Sequence, residues 1–263
     1  MKSVKKAVVF LLTTGLCTVS VFLSAQKDSV YTVIAHRGGP NGMYPENSFS
    51  AINSSLKAGA ERIEVDVHQT KDSILVVIHD KTADRTTSGN GLIKDMSWDQ
   101  LKKLDLDANE GLPLLEDVFS IINGSSCLVI EIKEGDEYYP GIEKRVAEMI
   151  RKHDAYNWCF IHSFKDEILE KVHEFDSAIV LQKLIFAKPF ILPLFIDTRV
   201  RIKTFSHYDY VNEFSVNQYF AGRLLIKRVH RLGKKVNVWN VNSEKRKARL
   251  VRKGIDGIIT DFP

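Results

Sequence analysis

Arg62-Ile63-Glu64-Val65-Asp66-Val67-His68 alternates ionisable side chains with β-branched apolar ones. A repeat of two belongs to an extended strand whose successive side chains face opposite sides. Ile63, Val65 and Val67 then share one face, and Glu64 and Asp66 share the other. Charges are rarely buried without partners, so two carboxylates on one strand face predict something that answers them.

Working outward, short β-branched runs recur at Tyr31–Ala35, Arg62–Val67, Leu128–Ile132, Phe160–Ser163, Ile179–Leu184, Tyr210–Phe214, Val236–Val241 and Gly257–Thr260. Stretches of helical pattern separate many of them: Ser48–Ala58, Pro140–Lys152, Lys165–Phe175, Ala221–Leu232 and Ser243–Lys253. Strands spaced by helices predict βαβ units and a parallel sheet, and eight such units fit an α/β fold of the (β/α)8 barrel type. A ninth run, Ile74–Ile78, follows the second strand too closely for a crossover and is expected to form a hairpin with it. It opens an insertion over about 74–124, in which Ser97-Trp98-Asp99-Gln100 carries the pattern of a helix-starting capping box. One domain is expected from 28 to 263.

The chain has 263 residues, 44% hydrophobic and 27% charged, which excludes disorder, collagen and coiled coil. Three cysteines are too few for a disulfide-built miniature fold. Without Lys2, Lys5 and Lys6, the 37 basic residues fall to 34 against 33 acidic ones. That balance gives no footing for nucleic-acid binding. The first 25 residues are basic, then apolar, then small, ending Ser24-Ala25, which is the layout of a secretory signal peptide cleaved after Ala25. The mature chain is expected to cross the inner membrane and reach the periplasm. An oxidising compartment permits a Cys127–Cys159 bridge, although two buried free thiols are the simpler expectation.

Glu131 and Lys133 repeat the alternation in Ile130-Glu131-Ile132-Lys133. Glu64, Asp66 and Glu131 at strand ends would suit a hard divalent cation bound by oxygen. The same residues also fit salt-bridged barrel packing, with Lys133 against Glu64. His36 and His79 each end a β-like run, which in a barrel is the catalytic face. Imidazoles titrate near neutral pH and can share acid and base duties. Arg37 and Lys133 beside a cation suit a phosphate group.

His36-Arg37-Gly38, Pro45-Glu46-Asn47-Ser48, Glu64-Val65-Asp66, Thr70-Lys71-Asp72, His79-Asp80 and Arg85-Thr86-Thr87 occur in an order that resembles the glycerophosphodiester phosphodiesterases. Leu112 to Glu116, Glu131-Ile132-Lys133, Ser163-Phe164, Val238 to Val241 and Gly257 to Asp261 continue it to the C-terminus. The resemblance implies a barrel with a small insertion, and hydrolysis of a glycerol-linked phosphodiester to glycerol 3-phosphate and an alcohol. It implies Glu64, Asp66 and Glu131 as ligands of Ca²⁺ or Mg²⁺ and His36 and His79 as the acid–base pair. Arg37 and Lys133 would hold the phosphate, Glu46 would be a further site carboxylate, and Trp239 would pack on the glycerol side. Ser48 stands where the family usually has Thr, and the loop Gly39–Tyr44 is modified. These departures touch pocket shape rather than the implied machinery.

One segment is left over. Leu184 to Ile196 is apolar, holds Lys188, Pro189 and Pro193, and is too short to span a bilayer. It is expected either to cover the barrel or to form a greasy rim for peripheral membrane contact. The rim would favour a lysophospholipid substrate and a lysophospholipase D-like or sphingomyelinase D-like activity. Binding of a glycerophosphodiester without turnover is the non-enzymatic alternative, and two strand-end histidines argue against it. The oligomeric state is not legible.

Overall fold

The computed structural model describes residues 31–106, 110–185 and 208–263. The leader expected over 1–25 lies outside the described residues, as does the segment from 186 to 196 expected as a cover or rim. Among the described residues no helix is long and apolar enough to cross a membrane.

The chain runs through β1 (Thr32–Ala35), α1 (Phe49–Lys57) and β2 (Arg62–Gln69) into the small elements β3 (Leu75–Val77), α2 (Trp98–Leu101), β4 (Asp105–Leu106) and β5 (Glu110–Gly111). It continues through α3 (Leu115–Ile122), β6 (Cys127–Ile132), α4 (Ile142–Lys152), β7 (Cys159–Ser163), α5 (Asp166–Phe175) and β8 (Val180–Ile185). Last come β9 (Glu213–Asn217), α6 (Arg223–His230), β10 (Lys235–Trp239), α7 (Glu244–Val251) and β11 (Gly257–Thr260). Eight strands pair in parallel in the order β1-β2-β6-β7-β8-β9-β10-β11, and β11 returns to β1, closing the (β/α)8 barrel expected from the strand–helix alternation. β3 lies antiparallel on β2, with Val67 opposite Val77. Between β3 and β6, Val76, Ile78, Ala83, Ile93, Leu101, Leu106 and Leu112 make a separate small core.

The period of two now has two sides. Ile63, Val65 and Val67 of β2 and Leu128, Ile130 and Ile132 of β6 face outward into the main core under the helices. Ile34, Val129 and Ile259 meet inside the barrel with Phe160 and Trp239. Below them Arg62 donates to both Glu213 oxygens at 2.8 and 3.1 Å, and Gln182 and Asn237 donate to the same carboxylate at 3.0 and 2.7 Å. This polar floor closes the end of the barrel where the strands begin.

That floor accounts for a shifted strand. The sixth barrel strand, expected over Tyr210–Phe214, lies at Glu213–Asn217. Its inward residues Glu213, Ser215 and Asn217 are polar, so the strand reads weakly as an apolar run. The cysteines differ in a similar way. Leu128, not Cys127, pairs with Cys159. The one-residue offset sends the two thiols to opposite faces of the sheet, and both are free.

Candidate active site

The strand ends at the opposite mouth of the barrel carry the chemistry. After β1 the backbone turns sharply through Arg37, Gly38 and Gly39, all with positive φ. A Cβ on Gly38 would stand 3.1 Å from the Ala51 Cβ of α1, so glycine serves both the turn and the close approach. The turn aims the Arg37 backbone N–H at Glu64 Oε2, 2.8 Å away. Ser48 caps α1 by accepting from the Ala51 N–H at 3.1 Å. Asn47 beside it donates to Asp66 Oδ2 at 2.8 Å and accepts from the Asp66 N–H at 3.1 Å.

His36 Nδ1 lies 2.5 Å from Asp261 Oδ1, just past β11. Burial pulls the His36 pKa down, but the Asp261 hydrogen bond and the charges of Glu64 and Asp66 outweigh it, so the net direction is upward. His79 Nδ1 lies 2.6 Å from Asp80 Oδ1. Each imidazole is thus gripped through Nδ1 by a carboxylate. A relay of charges ties the two sides together. Arg37 Nη1 donates to both Glu46 oxygens at 3.1 and 3.0 Å. Arg85 donates to Glu46 Oε1 at 2.5 Å and to Asp80 Oδ2 at 2.6 Å. Arg85 then holds the Asp80 pKa at about 2. Behind His79, buried His68 contacts the His79 carbonyl at 3.0 Å and the Tyr139 hydroxyl at 2.9 Å. Burial lowers the His68 pKa to about 4, so it is a neutral strut.

Lys133 Nζ pairs with Asp66 Oδ1 at 2.8 Å and with Glu131 Oε1 at 3.0 Å, not with Glu64 as the packing alternative had it. Burial opposes the Asp66 charge, yet Lys133, His79 and Arg37 together keep its pKa far below the usual carboxylate range. Glu131 goes the other way: burial raises its pKa, Lys133 offsets part of this, and the neighbouring Asp66 adds to it. A buried carboxyl crowded by like charges would be relieved by a cation.

Glu64, Glu131 and His162 have donor atoms within 4.8 Å of one another and form a cluster that could hold a metal ion. Glu64 Oε1 has no hydrogen-bond partner there. The fit is therefore chemical as well as spatial: two buried carboxylates converge with an imidazole, and Glu64 Oε1 and both His162 nitrogens make no hydrogen bond. Of the expected oxygen ligands, the structure brings Glu64 and Glu131 together. It places Asp66 beside them but engaged by Lys133 and Asn47.

A cleft of about 490 Å³ opens above these groups, lined by His36, Arg37, Glu64, His79, Glu131, Lys133, His162, Phe164, Trp239 and Asn240 among others. Glu46 lines an adjoining cavity that shares His36, Arg37 and Asn240. Phe164 and Trp239 meet edge to face with ring centroids 5.6 Å apart. His162, Asp261, Asp80 and Arg85 were given no role from sequence. His162 has a signal: it is the one imidazole in the otherwise apolar run Cys159-Phe160-Ile161-His162.

A model of the glycerophosphoryl diester phosphodiesterase family matches residues 36–263. The chain is 35% identical over 241 residues to the glycerophosphodiester phosphodiesterase of Caldanaerobacter subterraneus subsp. tengcongensis, covering 88% of this chain and 94% of the relative. It is 32% identical to the Bacillus altitudinis enzyme of the same name at the same coverage. Among solved structures, a glycerophosphodiester phosphodiesterase from Agrobacterium tumefaciens superposes with a TM-score of 0.75 at 24% identity, covering 89% of this chain and 97% of that one. A phosphodiesterase from Oleispira antarctica, solved with the product sn-glycerol-3-phosphate, reaches 0.76 at 24% identity, covering 88% and 93%. With the barrel and nearly the whole described chain in agreement, this protein belongs to the glycerophosphoryl diester phosphodiesterase family and is a phosphoric diester hydrolase.

Proposed function

We propose that the chain hydrolyses a glycerol-linked phosphodiester to glycerol 3-phosphate and an alcohol, with His36 and His79 as the acid–base pair beside a divalent cation. The observation that carries this reading is the pair of carboxylate-gripped imidazoles lining one cleft with Arg37, Lys133 and the Glu64–Glu131–His162 cluster. The Oleispira relative, solved with sn-glycerol-3-phosphate, supports the choice of product.

A phosphodiester resists attack because its anion repels nucleophiles. Arg37 and Lys133 would neutralise the non-bridging oxygens. Both are kept cationic against burial by the carboxylates around them, Asp66 foremost. One imidazole would take the proton from the nucleophile and the other would protonate the leaving oxygen. The edge-to-face pair Phe164 and Trp239 would flank the glycerol carbons. A divalent cation, when bound, supplies Lewis-acid polarisation of the phosphate oxygens. Ca²⁺ or Mg²⁺ would be held by the oxygen set Glu64, Asp66 and Glu131 if Asp66 leaves Lys133. The glycerol 2-hydroxyl is the favoured nucleophile. Its attack closes a cyclic phosphate and expels the alcohol, and water then opens the ring. This route accounts for a requirement for glycerol next to the phosphate.

The deciding experiment is release of glycerol 3-phosphate by the mature chain from glycerophosphocholine, with lysophosphatidylcholine run alongside. Turnover of the first is expected. Turnover of neither by folded, metal-loaded protein would sink the reading. Preference for the lysolipid would move the assignment to a lysophospholipase D-like enzyme and bring the 184–196 segment into play. Lysolipid access, membrane contact and periplasmic location are readings of the sequence alone.

Asp261→Asn tests the His36 assignment. Loss of a charge-assisted hydrogen bond, worth about 1.5–3 kcal/mol, is expected to lower kcat by roughly 10–100-fold. Because Asp261 raises the His36 pKa, the limb of the pH profile that His36 governs should move to lower pH. Movement of the acidic limb of kcat/KM makes His36 the base, and movement of the alkaline limb makes it the acid. A profile with both limbs unmoved counts against His36 in either role.

A further inference from the structure

His162 is 2% exposed, and neither of its ring nitrogens has a hydrogen-bond partner among the described residues. Buried polar atoms are nearly always paired, so an unpaired imidazole in a closed core calls for a reason. Its position gives one. β7 runs beside β6 with Glu131 paired to His162, and β6 runs beside β2 with Asp66 paired to Glu131. The register therefore turns the His162 ring inward, next to the two carboxylates. Nε2 stands 3.5 Å from Glu64 Oε1 and 3.7 Å from Glu131 Oε2. Two ligands about 2.0–2.2 Å from one ion at tetrahedral angles stand about 3.3–3.6 Å apart, which is close to these separations. Asp66 meanwhile has one oxygen on Lys133 and the other on Asn47. The cluster of converging ligand atoms thus joins one imidazole nitrogen to two carboxylates, with Asp66 beside it on Lys133. His162 also lines the cleft, so an ion entering from solvent can reach it.

We propose that His162 is a metal ligand, and that its nitrogen shifts this site from Ca²⁺ and Mg²⁺ towards divalent cations that accept imidazole, of the Mn²⁺ and Zn²⁺ class. The proposal rests on the reading of a cation site in the catalytic cleft and specifies its ligands and its preference. The chemistry is general. Ca²⁺ and Mg²⁺ take oxygen donors and gain little from imidazole, whereas Mn²⁺, Fe²⁺, Co²⁺ and Zn²⁺ accept mixed carboxylate and imidazole sets.

The test uses the metal-free mature chain and metal salts alone. Calorimetric titration is expected to show tighter binding of Mn²⁺ than of Mg²⁺ or Ca²⁺. His162→Gln should lower Mn²⁺ affinity by at least the roughly 10–100-fold that losing even an outer partner costs, while Mg²⁺ and Ca²⁺ affinities stay put. Pulsed electron paramagnetic resonance of the Mn²⁺-loaded wild type should show ¹⁴N coupling that persists in His36→Gln and His79→Gln and vanishes in His162→Gln. The wild-type spectrum decides the point even if His162→Gln fails to fold. Absence of ¹⁴N coupling, or an equal loss of affinity for all three cations in the variant, overturns the proposal. The two readings fail separately. Glycerophosphocholine hydrolysis without ¹⁴N coupling removes only the ligand assignment. ¹⁴N coupling without hydrolysis removes only the catalytic reading.

Discussion

Replacing His79 with Gln lowers kcat/KM for glycerophosphocholine by about 10²–10⁴-fold, and His36→Gln does so to the same order, if the two imidazoles carry the proton transfers. Both rings hold Nδ1 against a carboxylate, His36 on Asp261 and His79 on Asp80, which leaves Nε2 of each for the reaction. Gln preserves polarity and approximate size but cannot move a proton near neutral pH. The two losses should separate when the leaving group is changed. A substrate with an acidic alcohol, such as a nitrophenyl ester of glycerol phosphate, needs no proton at departure. The variant lacking the general acid should regain most of its rate on it, and the variant lacking the base should not. The double variant should lose far less than the product of the single losses, because two groups that serve the same displacement act as a unit. Losses of only a few-fold in both single variants would remove the acid–base assignment.

Chelation is expected to abolish turnover, and Glu131→Gln to lower kcat by roughly 10²–10³-fold, the several kcal/mol a cation lends to a phosphoryl transition state. Stability should respond with the opposite sign. Glu131 is a buried carboxyl whose pKa is raised by burial and, beyond the Lys133 offset, by Asp66 and Glu64, so its charge is disfavoured in the folded chain. The metal-free Gln variant is therefore expected to unfold no earlier than the metal-free wild type. Cation at about 100 times its Kd should stabilise the wild type by about 2.7 kcal/mol, or roughly 5–10 °C in Tm for a domain of this size. The variant should lose most of that rise. Thermal unfolding with and without added cation measures both effects. A metal-free variant markedly less stable than the wild type would mean that Glu131 serves the fold through Lys133 rather than a cation.

These two experiments probe groups that differ in how far sequence reveals them. His36, His79, Glu64 and Glu131 stand out because ionisable residues interrupt or end apolar strands, and a repeat of two tells which side they face. Their partners do not stand out. Asp261 reaches His36 across 225 positions because β11 closes onto β1. Arg85 reaches Glu46 across 39 positions because the insertion after β2 leans over the first loop. No local pattern encodes either contact.

From the sequence alone came seven barrel strands in place and the sixth only in part, the (β/α)8 class and the shared face of Glu64 and Asp66. All of these follow from side-chain periodicity and the short-range logic of βαβ units, which local composition expresses directly. Only the tertiary structure decided which inward groups meet. Register set Asp66 beside Glu131 and Glu131 beside His162, sent Lys133 to Asp66, and turned Cys127 and Cys159 to opposite faces. Register between strands and closure of the barrel are cooperative outcomes of packing the whole core. A strand's own residues state which face a side chain takes, but not which neighbour it finds there.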